Sequence, residues 1–267
     1  MTMTPLVILI TGASRGIGLA CAEHLAARGH RVFGGSRTGG EHAAFTLSRL
    51  DVRDEDSVRE WVANALEQAG RIDVLINNAG ISLAGAVEEA SAEDAWALFD
   101  TNLFGVIRAT NAVLPHMRVD GGGRIINISS LAGRVGVPYL GLYAASKHAL
   151  EGYSATLRYE VRRFGVYVSL VEPGDIHTGI TGTPTSNPQT AYDGERERVN
   201  AVHDANMRDA PPPQRVAYVV ERIINARRPR LRYTVTHGGE RLVPLALRIL
   251  PDSWLEALAR RIYRLER

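Results

Sequence analysis

The sequence predicts an α/β fold, a doubly wound parallel sheet with helices on both faces. Three observations carry this reading. Short apolar runs alternate with longer amphipathic stretches through residues 6–171, the pattern of repeated βαβ units. A glycine-rich turn, Gly12 to Gly18, joins the first run to the first amphipathic stretch. The fourth and fifth runs both close on polar residues, Asn77-Asn78-Ala79-Gly80 and Asn127-Ile128-Ser129-Ser130, at the sheet edge where such folds bind ligands. The composition agrees. Of 267 residues, 45% are hydrophobic and 22% charged, which excludes disorder, collagen and disulfide scaffolds. The whole length, 1–267, is read as one domain, since single α/β domains often exceed 200 residues.

Leu6 to Ile10 is an apolar run far too short to span a bilayer, and with glycines after it reads as a buried parallel strand. No basic segment precedes it, so no signal peptide is expected. Ile17 to Arg28 reads as helix ending at Gly29, Arg31 to Ser36 and Thr46 to Leu50 as strands, and Asp54 to Ala69 as helix ending at Gly70. Ile72 to Ile76 is a strand, Ala92 to Met117 mostly helix, and Arg124 to Ile128 a strand. Tyr143 to Phe164 is a long helix and Val166 to Val171 a strand. The alternation then fails. Residues 178–213 are polar, rich in Thr, Pro and Asn, and close on Pro211-Pro212-Pro213; a stretch of this kind is expected to be a substrate lid. Helix resumes over Gln214 to Ala226, and Leu231 to Thr236 reads as the last strand. Residues 238–267 form a helical extension in which Ser253 and Glu256 have capping-box spacing. Trp254, Leu255, Leu258, Ile262 and Leu265 share one face of it. Packing against the domain or a partner subunit is expected of that stripe; membrane-surface contact is the less favoured alternative.

The formal net charge is only +2, but residues 208–267 hold 13 arginines against six acids. A solvated surface is expected there, with acidic lipid or an anionic substrate as the alternative. Nucleic acid is not an expected partner, because no binding motif accompanies the arginines. Among 31 basic residues, 30 are arginine and one is lysine, Lys147. Arginine cannot replace a compact ammonium whose pKa must be tunable, which singles out Lys147. The one cysteine, Cys21, allows no internal disulfide, suits a reducing cytoplasm and reads as a small core residue.

The turn Thr11-Gly12-Ala13-Ser14-Arg15-Gly16-Ile17-Gly18 stands after the first strand and before a helix. Glycines there let the backbone approach a pyrophosphate, and the helix N-terminus offers N–H groups and a positive dipole end. The second strand lacks the closing acid that takes the ribose hydroxyls of NAD. It ends instead on Ser36-Arg37-Thr38, where Ser36 and Arg37, with Arg15 opposite, suit a 2′-phosphate. NADP(H) is therefore favoured over NAD(H). Tyr143 and Lys147 stand four apart, on one helix face, thirteen and seventeen residues beyond Ser130. A nearby cation is expected to lower the tyrosine pKa and prepare it to exchange a proton with a carbonyl or alcohol oxygen. Ser130 is placed to donate a hydrogen bond to the same oxygen.

TGASRGIG, Asp51-Val52, the NNAG sequence, Asn102, Ser130, Tyr143-x-x-x-Lys147 and Pro173-Gly174 follow one another in an order that resembles short-chain dehydrogenases/reductases, over residues 5–178. The resemblance implies a Rossmann-type seven-stranded sheet of order 3-2-1-4-5-6-7 and hydride transfer between a nicotinamide and a carbonyl or carbinol carbon. It makes Tyr143 the acid/base, Ser130 the orienter of the substrate oxygen, Lys147 the ribose-binding and tuning residue, and Asn102 the holder of a relay water. Gly12, Ser14, Arg15, Gly16, Ile17 and Gly18 match the phosphate turn, and Asp51 and Val52 the adenine-contacting pair. Asn78, Ala79 and Gly80 line that side. Pro173, Gly174, Ile176 and Thr178 match the carboxamide contacts. Ser129 is the rival of Ser130, and the thirteen-residue spacing to Tyr143 favours Ser130.

Val171 to Thr178 and the tail from Arg227 look like the branch that includes 17-beta-hydroxysteroid and retinol dehydrogenases. That likeness implies a hydrophobic ketone or secondary alcohol, in either direction, held under residues 178–213. Leu83, Tyr139, Leu140 and Tyr192 are expected to line its pocket, and His177 either reaches the site or serves its loop. An acyl carrier protein thioester reductase is the alternative enzyme, and a silent nucleotide-binding regulator the non-enzyme one. A dimer is expected through the helix bearing Ala144, Ala145 and Ala149, with a tetramer possible. No metal is expected.

Overall fold

The computed structural model describes residues 4–178 and 182–265. Seven parallel strands form the sheet: β1 (Val7–Thr11), β2 (Arg31–Ser36), β3 (Thr46–Arg49), β4 (Val74–Asn77), β5 (Gly123–Ile128), β6 (Val166–Pro173) and β7 (Arg232–Val235). Their spatial order is β3-β2-β1-β4-β5-β6-β7. The order reverses between β1 and β4, which lie in register at Ile8 and Val74. A crevice opens at such a switch point, at the C-terminal strand ends.

Alternation along β1 divides the core. Ile8 and Ile10 face one layer, with Leu25 of α1 (Gly16–Ala27) and Val216, Val220 and Ile223 of α7 (Gln214–Asn225). Val7 and Leu9 face the other. There they meet Trp61 of α2 (Glu55–Ala69), Val113 and Met117 of α4 (Gly105–Val119), and Leu157 of α5 (Gly141–Val161). Each layer is closed by residues with essentially no exposure, which fixes the strand register because a one-residue slip would turn each set to the wrong face. Cys21 is fully buried in the first layer, and burial pushes its thiol up to about 12.

Two departures from the sequence expectation shape the site, while the tail is helical as expected. The helix expected over Ala92 to Met117 is two helices, α3 (Ala92–Phe99) and α4, joined by a five-residue π turn, Asp100–Phe104. The polar segment 178–213 is not irregular throughout. A two-residue strand, Thr183–Pro184, pairs with Leu83–Ala84, and α6 (Asp193–Arg208) spans sixteen residues. Residues 179–181 of that segment lie outside the described residues. The tail forms α8 (Val243–Ile249) and α9 (Asp252–Tyr263), neither with a fully buried residue; its last two residues, 266–267, also lie outside.

Candidate active site

The C-terminal ends of β1 to β6 deliver the site. Beyond β1, Gly12 takes φ +69, and a Cβ on Gly18 would stand 2.2 Å from the Gly12 carbonyl oxygen. No side chain fits between these two segments, so the turn closes on itself only with glycine. Thr11 Oγ1 accepts from the Asn78 and Ala79 N–H groups, and Asn78 Nδ2 donates to the Thr11 and Gly12 carbonyls at 3.0 and 2.9 Å. The NNAG segment beyond β4 is thus a brace for the glycine turn as well as a wall. No side chain caps the N-terminus of α1, which leaves its first N–H groups open to an anion. Thr178 stands against the same turn, 3.3 Å from where a Gly16 Cβ would be.

One cavity of about 1930 Å³ runs from this turn to the C-terminal helices. Gly12, Ser14, Arg15, Ile17, Ser36, Arg37, Asp51 and Val52 line one end. Asn78, Ala79, Gly80, Ser130, Tyr143, Lys147, Pro173, Gly174, Ile176, His177 and Thr178 line the middle. Ser36 is buried while Arg15 and Arg37 are exposed, and among the described residues neither arginine holds a salt bridge. The Asp51 carboxylate is gripped by Arg53, at 2.6 Å from Nη2 and 3.0 Å from Nε, which lowers its pKa to about 2. Arg53 also lines the cavity. Nothing in the sequence marks it, since it reads as one more surface arginine.

In the middle, Tyr143 sits in the first turn of α5, and the Ser130 hydroxyl interacts with its phenol. Lys147 is 6% exposed; its Nζ donates to the Ile128 carbonyl at 2.9 Å and lies 5.7 Å from the Tyr143 ring centre. The expectation that this cation lowers the tyrosine pKa is corrected here. Burial raises Tyr143 and the Ser130 contact only offsets part of it, while the same burial drives Lys147 down to about 8. In a medium that dry, desolvation outweighs an attraction between groups that do not touch. Asn102 is held in the π turn, 1% exposed. Its carboxamide exchanges two hydrogen bonds with the Ile81 backbone, at 2.9 Å each, and donates to Ser146 Oγ at 3.1 Å. Both amide protons are therefore engaged with protein. Ser129, the rival of Ser130, is buried on the Gly133 side, where its hydroxyl interacts with the Glu151 carboxylate, and the contact to the phenol is made by Ser130.

The far end departs from expectation more. Tyr139 and Leu140 line the cavity, but Leu83 is buried in the short two-stranded sheet and the Tyr192 hydroxyl is drawn to the Glu88 carboxylate. A local acid captures that phenol instead of the cavity. The His177 N–H donates to the Pro211 carbonyl at 3.0 Å, a loop contact. Ala144 is buried under its helix, so of the three alanines offered for a subunit contact it is not on the outer face. Sequence reading also missed Glu89. Fully buried, it accepts from the Ala86 and Gln189 N–H groups at 2.8 and 2.6 Å and pairs with Arg196 of α6. Burial opposes its charge, but those donors hold its pKa below the usual carboxylate range. It ties residues 185–196 to the domain, yet in sequence Glu88-Glu89 reads as an ordinary exposed pair. From the tail, Leu255, Leu258 and Ile262 complete the wall together with His203 and Met207 of α6. Glu240 meets Gly174 and accepts from the Asp175 N–H at 3.0 Å.

Residues 6–189 match the model of the short chain dehydrogenase family. Over 266 residues the chain is 38% identical to a 3-ketodihydrosphingosine reductase of Bacteroides thetaiotaomicron, covering 98% of this chain and 99% of that one. It is 33% identical over 292 residues to human 17-beta-hydroxysteroid dehydrogenase type 1, covering 98% and 87%. A solved short-chain dehydrogenase from Streptomyces avermitilis superposes with a TM-score of 0.81 at 31% identity, covering 96% of this chain and 97% of that one. By fold, motif order and relatives of nearly equal length, the chain belongs to the short-chain dehydrogenase family of oxidoreductases.

Proposed function

We propose that this protein is an NADP(H)-dependent oxidoreductase that interconverts a hydrophobic ketone and its secondary alcohol. The observation that carries the proposal is one continuous cavity, with an uncapped helix N-terminus at one end, Ser130, Tyr143 and Lys147 in the middle and an apolar wall beyond. At about 1930 Å³ it exceeds the ~300–1,000 Å³ of an ordinary small-molecule site, leaving room for a dinucleotide and a large substrate together.

The chain's residues fit the nicotinamide cofactor. The Gly12–Gly18 contact leaves a backbone cradle for a pyrophosphate, and Arg15, Ser36 and Arg37 surround the place of a ribose 2′-phosphate. When bound, the cofactor supplies or accepts the hydride. The protein's part is proton transfer and positioning. Ser130 donates to the carbonyl oxygen, Tyr143 delivers the proton to it, and Lys147, protonated below pH 8, steadies the phenolate that results. A tyrosine raised by burial is a firm proton holder, so the ammonium beside it matters most after the proton has left. Asn102 fixes the Ile81 backbone next to Gly80 and keeps the wall behind Lys147 in place. Residues 182–213, latched by Glu89, act as the substrate lid. The similarity to a 3-ketodihydrosphingosine reductase favours a long-chain ketone over a compact one, and the tail-lined end of the cavity is where such a chain would lie.

The test is steady-state oxidation of NADPH and NADH over ketones of graded chain length, with Tyr143→Phe as the blank. NADPH-selective turnover that rises with chain length and falls by about 10²–10⁴ in the variant is expected. Turnover of acyl-thioesters alone, or equal use of NADH, refutes the proposed substrate or cofactor respectively.

A further inference from the structure

The C-terminal helices present a run of large apolar side chains to solvent. On α8, Leu245 and Ile249 are 56% and 66% exposed, and on α9 Trp254 is 66% exposed. Leu242, Leu258 and Ile262 extend the same surface. The first three do not line the cavity; the last three both line it and reach solvent, so they form its rim. The apolar surface outside and the apolar wall inside are therefore continuous across that rim. Exposed arginines flank it: Arg241 before α8, Arg248 in its last turn, and Arg261 and Arg264 at the end of α9. Contiguous exposed patches of this kind mark binding surfaces, and arginines around them select what binds.

We propose that α8 and α9 dock the protein on the surface of an anionic lipid bilayer, with the cavity mouth facing the acyl region. Charge complementarity selects this occupant. From Arg241 to Arg264 the exposed charges are five arginines against Asp252 and Glu256, so a second copy seated on the patch by two-fold symmetry would meet a surface of like net charge. A bilayer with acidic headgroups would meet them with opposite charge while accepting Leu245, Ile249 and Trp254 below the headgroup level. The contact is peripheral, since no helix among the described residues is long and apolar enough to cross a membrane. Docking so oriented would let an apolar substrate pass from lipid to the cavity without crossing water.

The experiment is co-sedimentation with vesicles of phosphatidylcholine alone and of phosphatidylcholine with about one-third phosphatidylglycerol, at low and high salt. The protein is expected to partition onto the anionic vesicles and to be released by salt. In a Trp96→Phe background the remaining tryptophans are buried Trp61 and exposed Trp254, so a blue shift on vesicles reports Trp254. The double variant Leu245→Asp, Ile249→Asp is expected to lose about tenfold or more of the partition, with its thermal transition unchanged. No partition onto either vesicle overturns the proposal. So does partition that the double variant leaves intact, which would place the contact elsewhere. A double variant that turns a dimer into a monomer in sedimentation velocity also overturns it, because a second copy would then cover the patch.

Discussion

At the nucleotide end of the cavity the wall is largely backbone. Gly12 and Gly18 meet with no room for a side chain, Asn78 bonds two carbonyls of the turn, and β1 beneath is wholly buried. At the tail end the wall is largely side chain, carried by α6 together with α8 and α9, and the last two have no fully buried residue. The first end is set by packing that would hold in the absence of any ligand. The second rests on the domain lightly and owes its apolar character to what it touches outside. One end of the cavity is thus fixed by backbone packing, and access is left to the other.

That contrast breaks most readily at Gly18. Gly18→Ala sets a methyl 2.2 Å from the Gly12 oxygen, and NADPH affinity is expected to fall by about 100-fold or more in calorimetric titration. Next in size is Arg37→Ala. Losing a charged hydrogen bond to phosphate should raise KM for NADPH by about tenfold or more while that for NADH stays put. Lys147→Met sharpens the comparison in the opposite sense. Its ammonium titrates near 8 when folded and near 10.5 when free, so from 8 to 10.5 the unfolded chain holds more protons and stability rises with pH. Below 8 the full burial cost is present. The variant should therefore be more stable than the parent at pH 7, by about 1–2 kcal/mol, lose that advantage as pH rises toward 10.5, and be inactive. Thermal melts across this range read it directly. The smallest effect is expected from ending the chain after His237. Stability should change by less than about 1 kcal/mol, with the thermal transition as the measure, while turnover of long-chain ketones drops and that of short ones does not.

The legible parts of the molecule are those whose signals are local. Val7 to Thr11 followed by glycine, and Tyr143 four residues before Lys147, fix their own geometry through strand alternation and helix periodicity. The strand order and the meeting of Ser130 with Tyr143 then follow from the motif sequence. What stayed hidden depends on partners distant in sequence. Glu89 gains its role only when Gln189 and Arg196 arrive from a hundred residues away, and Tyr192 is lost to the cavity because Glu88 claims it. The π turn at Asp100–Phe104 has no composition cue, since any five helical residues can supply it. The direction of the Tyr143 pKa is hidden for a related reason: spacing reveals a neighbouring charge but not how dry the site is.

The solitary lysine has a use beyond its place in the cavity. A protease that cuts only after lysine has one target bond in the whole chain, in the second turn of α5, next to a buried side chain. That bond is out of reach until α5 leaves the fold. Cleavage by such an enzyme would divide the chain once, into two pieces, and its rate would report the population of the opened protein with no label and no denaturant. Bound dinucleotide would slow that cut by its own binding free energy, so the same digest would rank cofactors and ligands without any assay of turnover.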